Sequence, residues 1–156
     1  MASKSKRQQP KRPLRSGKIG LPAGSLVHLG ERKTERTAIN LIEYGADSIV
    51  ETRFDSLAEC RACAPTQRLW LNVHGLHEPE VMTEIGRRFK LHPLVLEDIL
   101  NTDQRPKIDD YGEYLFLVAR FFDYDPATLT VTSEQVSFVI GRDFVLTFQA
   151  RPTGRF

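Results

Sequence analysis

Three apolar stretches in the second half of the chain constrain its fold most: YLFLVARFFDY (Tyr114 to Tyr124), SEQVSFVIG (Ser133 to Gly141) and DFVLTFQA (Asp143 to Ala150). Each is rich in β-branched and aromatic residues, which suit a pleated, half-buried surface. A tight turn at Gly141-Arg142-Asp143 separates the last two, and DYDP (Asp123 to Pro126) reads as another turn. Strands joined by such short loops can only pair antiparallel, so an antiparallel meander is expected here.

The segments before it alternate between two periodicities. RLWLNVHG (Arg68 to Gly75) reads as a strand stopped by glycine. TAINLIEY and DSIVETRF, separated by Gly45-Ala46-Asp47, read as a hairpin, and GSLVHLG (Gly24 to Gly30) as a short strand between glycines. Ser56-Leu57-Ala58-Glu59 matches a capping box, which predicts a short helix from Ser56 to Cys63 ended by Pro65. Between Pro79 and Phe89, Val81, Met82, Ile85 and Phe89 fall on one face of a helix, and Glu84 and Arg88 form an i,i+4 pair. A second helix begins at Pro93, a favoured first helical position, and runs to Leu100. Strands, helices and then more strands predict an α/β layered domain.

Charge is unevenly spread. Seven of the 22 basic residues precede the first acid, Glu31, which leaves fifteen against all 20 acids, a body of net charge −5 behind a basic tail. Such a tail has the charge to meet anionic lipid or nucleic acid. With Pro10, Pro13, Ser16 and Gly17 and little apolar content it reads more simply as disordered, and no nucleic-acid partner is expected. It has no apolar stretch of signal-peptide type, and no apolar run approaches the ~20 residues that span a bilayer, so the chain as given reads as soluble. Cys60 and Cys63 form a single C-x-x-C that ends a predicted helix. Without a second ligand pair at zinc-site spacing they read as ordinary thiols in a reducing compartment.

The chemistry-bearing stretch is LHPLVLEDILNTDQRPK (Leu91 to Lys107). At ~100° per residue, Val95, Leu96, Ile99 and Leu100 share the core side of the second helix. Leu94 lies nearly opposite, flanked by Glu97 and Asp98 at i+3 and i+4. Adjacent acids on an amphipathic helix fit an ordinary solvated face most readily, a cation or partner site next and catalysis least. No Ser-His-Asp, Cys-His or nucleophile-elbow pattern accompanies them, and no enzymatic activity is expected. Magnesium prefers oxygen ligands and needs only one or two carboxylates, because it keeps its waters. The four histidines, His28, His74, His77 and His92, lack metal-ligand spacing; His92 is placed to cap the helix. DDYGE (Asp109 to Glu113) lacks EF-hand spacing and reads as a turn. Arg105 and Lys107 follow a helix end, where cations are favourable.

At these residues the sequence resembles a known family. WLNVHGLHEPEVMTEIGRRFKLHPLVLEDILNTDQRPKIDDYGEYLFLV, followed by SEQVSFVIGRDFVLTFQ, is similar to the N-terminal cytoplasmic domain of the CorA family of magnesium transporters, and KIGLPAGSLVHLG resembles that domain's entry segment. The ordered set LHPLVLEDIL, QRPK and EQVS carries the resemblance, which runs from Lys18 to Phe156 behind the basic tail of residues 1–17. It implies an α/β/α layered domain with a mixed, largely antiparallel sheet, belonging to a homopentameric divalent-cation channel of the cell inner membrane, with this domain in the cytoplasm. The cargo it implies is Mg²⁺, with Co²⁺ and Ni²⁺ carried by some members. Asp98 and Glu97 become metal-binding residues, Leu94 a subunit-interface residue, and Mg²⁺ a regulatory ion that bridges subunits and favours the closed channel. The family's stalk helix, its two membrane helices and its G-M-N pore signature have no counterpart in this sequence, so the chain is expected to be a fragment that does not conduct. A zinc-transporting branch of the same family and a soluble protein-interaction module with the same fold are the alternatives.

Overall fold

A computed structural model describes residues 26–28, 34, 36–60 and 68–152 of the chain. The basic tail at 1–17 and Cys63 lie outside these residues. Seven strands and two helices follow in the order β1 (Ala38–Tyr44), β2 (Ile49–Phe54), β3 (Arg68–His74), α1 (Pro79–Phe89), α2 (Pro93–Leu100), β4 (Lys107–Asp110), β5 (Tyr114–Asp125), β6 (Thr130–Gly141) and β7 (Phe144–Gln149). The strands form one mixed sheet of order β2-β1-β3-β7-β6-β5-β4. Neighbours are antiparallel except β3 and β7, which run parallel with Leu71 opposite Leu146. That pairing joins the early hairpin to the C-terminal meander, and the chain between them, including both helices, is the crossover a parallel pair requires.

Both helices cover the same face of the sheet. Ile39, Leu41, Leu69, Leu71, Val73, Phe116, Val118, Val139, Leu146 and Phe148 form one buried cluster with Met82 and Ile85 of α1 and Val95, Leu96, Ile99 and Leu100 of α2. Alternation along each strand selects these residues. The helices meet closely at Gly86, where a Cβ would lie 2.5 Å from a methyl of Leu96. The opposite face carries a polar row instead: half-buried Trp70 with buried Asn72 and His74 of β3, beside buried Thr147 and Gln149 of β7. Among the described residues no helix packs on that side, and no helix is long and apolar enough to cross a membrane.

Both helices, the first hairpin, β3 and the meander fall where the periodicity predicts them. Four local expectations are corrected. Ser56 to Cys60 form a turn, not the start of a helix: Glu59 N donates to the Ser56 carbonyl, Cys60 N to that of Leu57, and the Ser56 hydroxyl accepts from Ala58 N. The carbonyls of Leu57 and Cys60 are taken by the Arg88 guanidinium, at 3.2 and 2.7 Å, and Arg88 is itself held by Glu84 at 2.7 Å. The remainder of that predicted helix lies outside the described residues. Leu26 to His28, from the predicted strand at 24–30, adopt no regular structure, although Leu26 packs on the core. Asp109 and Asp110 belong to the short edge strand β4, and only Tyr111 to Glu113 turn, with Gly112 at φ 81° and its N–H on the Asp110 carboxylate at 2.7 Å. Four residues, three of them charged, are too short a run for alternation to register in sequence. The β5–β6 turn likewise shifts to Pro126–Leu129, because both strands extend past the apolar runs that predict them.

Candidate functional site

Helix α2 starts where proline and histidine direct it. His92 is extended and accepts Leu94 N–H on its Nδ1 at 3.2 Å, satisfying one of the free amides of the first turn. The backbone N–H of His92 is fixed in turn by the Tyr114 hydroxyl at 2.9 Å. With Val95, Leu96, Ile99 and Leu100 buried beneath it, the helix presents Leu94 outward, 45% exposed. This is the face expected from the helical wheel.

The acids beside Leu94 are less outward than the wheel suggests. The Asp98 side chain is only 27% exposed and turns toward the chain that follows the helix. Its Oδ1 accepts Gln104 Nε2 at 2.5 Å, and its Oδ2 meets Lys107 Nζ at 2.7 Å. Lys107 lies on β4 and also contacts Asp109 Oδ2 at 2.7 Å, with its ammonium 5.3 Å from the centroid of the Phe116 ring. Burial pulls the Lys107 pKa down, but hydrogen bonds to Asp109 and Asp98 outweigh it and the net shift is upward, so the ammonium stays charged. Glu97 is half-buried one position earlier.

The loop that carries Gln104 is stitched to the sheet. Gln135 accepts Gln104 N–H at 2.8 Å and donates to the Asn101 carbonyl at 3.0 Å. Arg120 reaches Asp103 Oδ1 at 3.0 Å. The three motifs that set this sequence apart, LED (Leu96 to Asp98), QRPK (Gln104 to Lys107) and EQVS (Glu134 to Ser137), therefore meet at one place: Asp98 through Gln104 and Lys107, and Gln104 through Gln135. Sequence reading singled out Leu94, Glu97 and Asp98 but missed Gln104, Lys107, Arg120 and Gln135 as partners. The motif order was the available signal, and cation placement after a helix did not point to Asp98 as the partner of Lys107. Arg105, from the same motif, is exposed.

Chemically, the site is a pair of carboxylates bridged by one ammonium, which offsets only one of the two negative charges, at the edge of an exposed leucine. No three metal-ligating side chains converge among the described residues. Asp98 and Asp109 together supply the one or two carboxylates that Mg²⁺ needs while keeping its waters, but only if Lys107 gives them up. Cys60 is buried, away from solvent.

A mixed sheet with helices on one face, and an acid pair at the rim of that helical layer, define an α/β domain whose distinctive residues gather at the second helix. The comparisons with known proteins give that class a family. Residues 66–156 match the family model described as CorA-like Mg²⁺ transporter protein. The chain is 39% identical over 140 residues to the cobalt/magnesium transport protein CorA of Thermotoga maritima, covering 87% of this chain and 39% of that protein. Two solved structures share the fold. The complete CorA magnesium transporter of Methanocaldococcus jannaschii aligns at TM-score 0.50 and 12% identity, over 70% of this chain and 31% of that one. The full-length CmaX protein aligns at TM-score 0.56 and 19% identity, over 78% of this chain and 37% of that one. The chain belongs to the CorA-like Mg²⁺ transporter family. It spans about two fifths of the length of its Thermotoga relative.

Proposed function

We propose that residues 18–156 act as the cytoplasmic, cation-sensing N-terminal domain of a divalent metal ion transporter, with residues 1–17 as a basic tail before it. In this reading the whole protein is a homopentamer of the cell inner membrane. Its cargo is Mg²⁺, and Co²⁺ in keeping with the named activity of the Thermotoga relative. This domain does not conduct; it reports cytosolic Mg²⁺ to a membrane part outside this chain.

The observation that carries the reading is the placement of Asp98. It sits on the same helix face as exposed Leu94, next to Glu97, at the meeting point of the three family-like motifs. An exposed leucine beside partly exposed acids suits a subunit seam, with Leu94 supplying apolar contact. Carboxylates gathered at such a seam repel, and a divalent cation between them reverses the sign of that interaction. Loss of Mg²⁺ then loosens the seam and shifts the population toward open states.

The test is ion flux through the full-length protein against internal Mg²⁺, for wild type and Asp98→Asn. The variant is expected to raise the Mg²⁺ concentration needed for half-inhibition severalfold while transport continues. Identical inhibition curves would remove Asp98 from the sensor. A parallel flux measurement with Zn²⁺ separates this reading from a zinc transporter of the same architecture.

A further inference from the structure

We propose that Lys107 is the resident counter-cation of Asp98 and sets the concentration at which a divalent cation takes that carboxylate. The inference rests on the reading of Asp98 as a cation-sensing residue and goes beyond it by naming what the cation must displace.

The geometry makes Lys107 a competitor and not a bystander. Its ammonium touches Asp98 Oδ2 and Asp109 Oδ2, both at 2.7 Å, bridging two carboxylates as a metal ion would. Gln104 holds the other oxygen of Asp98, so both oxygens are already engaged within the subunit. The Lys107 side chain is only 32% exposed and its ammonium has the Phe116 ring beneath it, which lowers the local screening by water. It still has an exit: Lys107 stands on the edge strand β4, and its ammonium rides on a flexible four-carbon stem. Gln104 is neutral and can rotate, so Lys107 supplies the only positive charge bonded to Asp98 among the described residues.

The consequence follows from competition. A divalent cation sees only the fraction of molecules in which the carboxylate is free, and its apparent affinity falls by that fraction. If the ammonium holds Asp98 about nine-tenths of the time, the apparent dissociation constant for Mg²⁺ is raised about tenfold. A weakened Lys107 contact should sensitise the sensor, and a firmer one should desensitise it. Arginine is firmer, because its planar guanidinium engages a carboxylate through two parallel hydrogen bonds.

The experiment is a calorimetric Mg²⁺ titration of the 156-residue chain, with thermal melts to confirm folding, for wild type, Lys107→Gln, Lys107→Arg, Asp98→Asn and the Lys107→Gln/Asp98→Asn pair. Wild type should bind Mg²⁺ in roughly the millimolar range, as cation sites with few charged ligands do. Lys107→Gln should bind about tenfold more tightly, Lys107→Arg more weakly than wild type, and the double variant should lose the gain. Unchanged or weaker binding by folded Lys107→Gln, with binding still lost in Asp98→Asn, overturns the role of Lys107 and leaves the sensor reading standing. Mg²⁺ binding unaffected by Asp98→Asn overturns both. Should Lys107→Gln not fold, the sign of the Lys107→Arg shift decides: binding as tight as wild type or tighter overturns the proposal.

Discussion

Truncating Phe116 to alanine is expected to cost this domain about 3–5 kcal/mol, the usual range for deleting a buried phenylalanine ring. Phe116 is fully buried on β5, between Val139 of β6 and Asp109 of β4, and belongs to the same apolar cluster as both helices. Its ring also lies under the Lys107 ammonium. The loss therefore combines a cavity in the core with a loosened Asp98–Lys107–Asp109 contact. Against the 5–15 kcal/mol typical of a whole domain, this is about a fifth or more of the total stability and, at the low end of that range, more than half of it. Equilibrium denaturant unfolding of wild type and Phe116→Ala measures it. A loss below about 1 kcal/mol would contradict the placement of Phe116 at the centre of the core.

The second large effect is expected on the other face of the sheet, from Asn72→Leu. The buried row there has one consistent hydrogen-bond direction. The Trp70 indole can only donate, so the Thr147 hydroxyl accepts from it at 2.9 Å and sends its own proton to Asn72 Oδ1 at 2.8 Å. The amide nitrogen of Asn72 then faces His74 Nε2 at 3.0 Å, which must offer a lone pair. Leucine has nearly the right size but leaves the Thr147 proton and the His74 nitrogen without partners. At about 1–3 kcal/mol for each of the two buried groups left unsatisfied, a loss of about 2–6 kcal/mol is expected.

The same row makes stability depend on pH. Burial, joined by the charge of Arg53, holds the His74 pKa below its ordinary 6.5, against the opposing effect of a hydrogen bond to the Arg151 backbone. Protonation would also set a donor against the Asn72 amide. The unfolded chain binds this proton more readily than the folded one, so the contribution of His74 is full above pH 6.5 and is lost as pH falls below it. A second acid limb comes from Glu84. Hydrogen bonds from Arg87 and Arg88 hold its carboxyl at about 2, so its contribution is present above 4.5 and lost as pH falls toward 2. Unfolding free energies measured from pH 8 to 3 should decline below pH 6.5 in wild type. A folded His74→Gln variant should lack that first limb and keep the second. An unchanged profile would mean that the row tolerates a protonated imidazole.

What could be read from the residues was local or periodic. The i, i+3, i+4 spacing of Met82, Ile85 and Phe89, and prolines at the first position of each helix, are sufficient to set α1 and α2, because helix geometry repeats within one turn. The same spacing turns Leu94 outward. Alternation and short turns likewise set the meander, since register follows wherever one face is buried. The ordered motifs LED, QRPK and EQVS were visible as a family resemblance.

Their meeting was not visible. Lys107 is nine residues from Asp98, and Gln135 is 31 residues from Gln104, and no local rule ties such positions together. The Lys107 contact depends on β4, a four-residue edge strand held in place by β5 and not by its own propensity. The parallel pairing of β3 with β7, across about 75 residues, arises from burial that both strands gain between the hairpin and the meander. The turn at Ser56 to Cys60 follows the same rule in reverse. A capping box satisfies its own local preference for helix, but the Arg88 guanidinium, delivered by α1, takes the carbonyls of Leu57 and Cys60. Charged hydrogen bonds from a distant element there outweigh a marginal helix nucleus, which costs free energy until several turns have formed. Asp98 shows the same division: its helix and face follow from spacing, whereas its partner had to come from another strand.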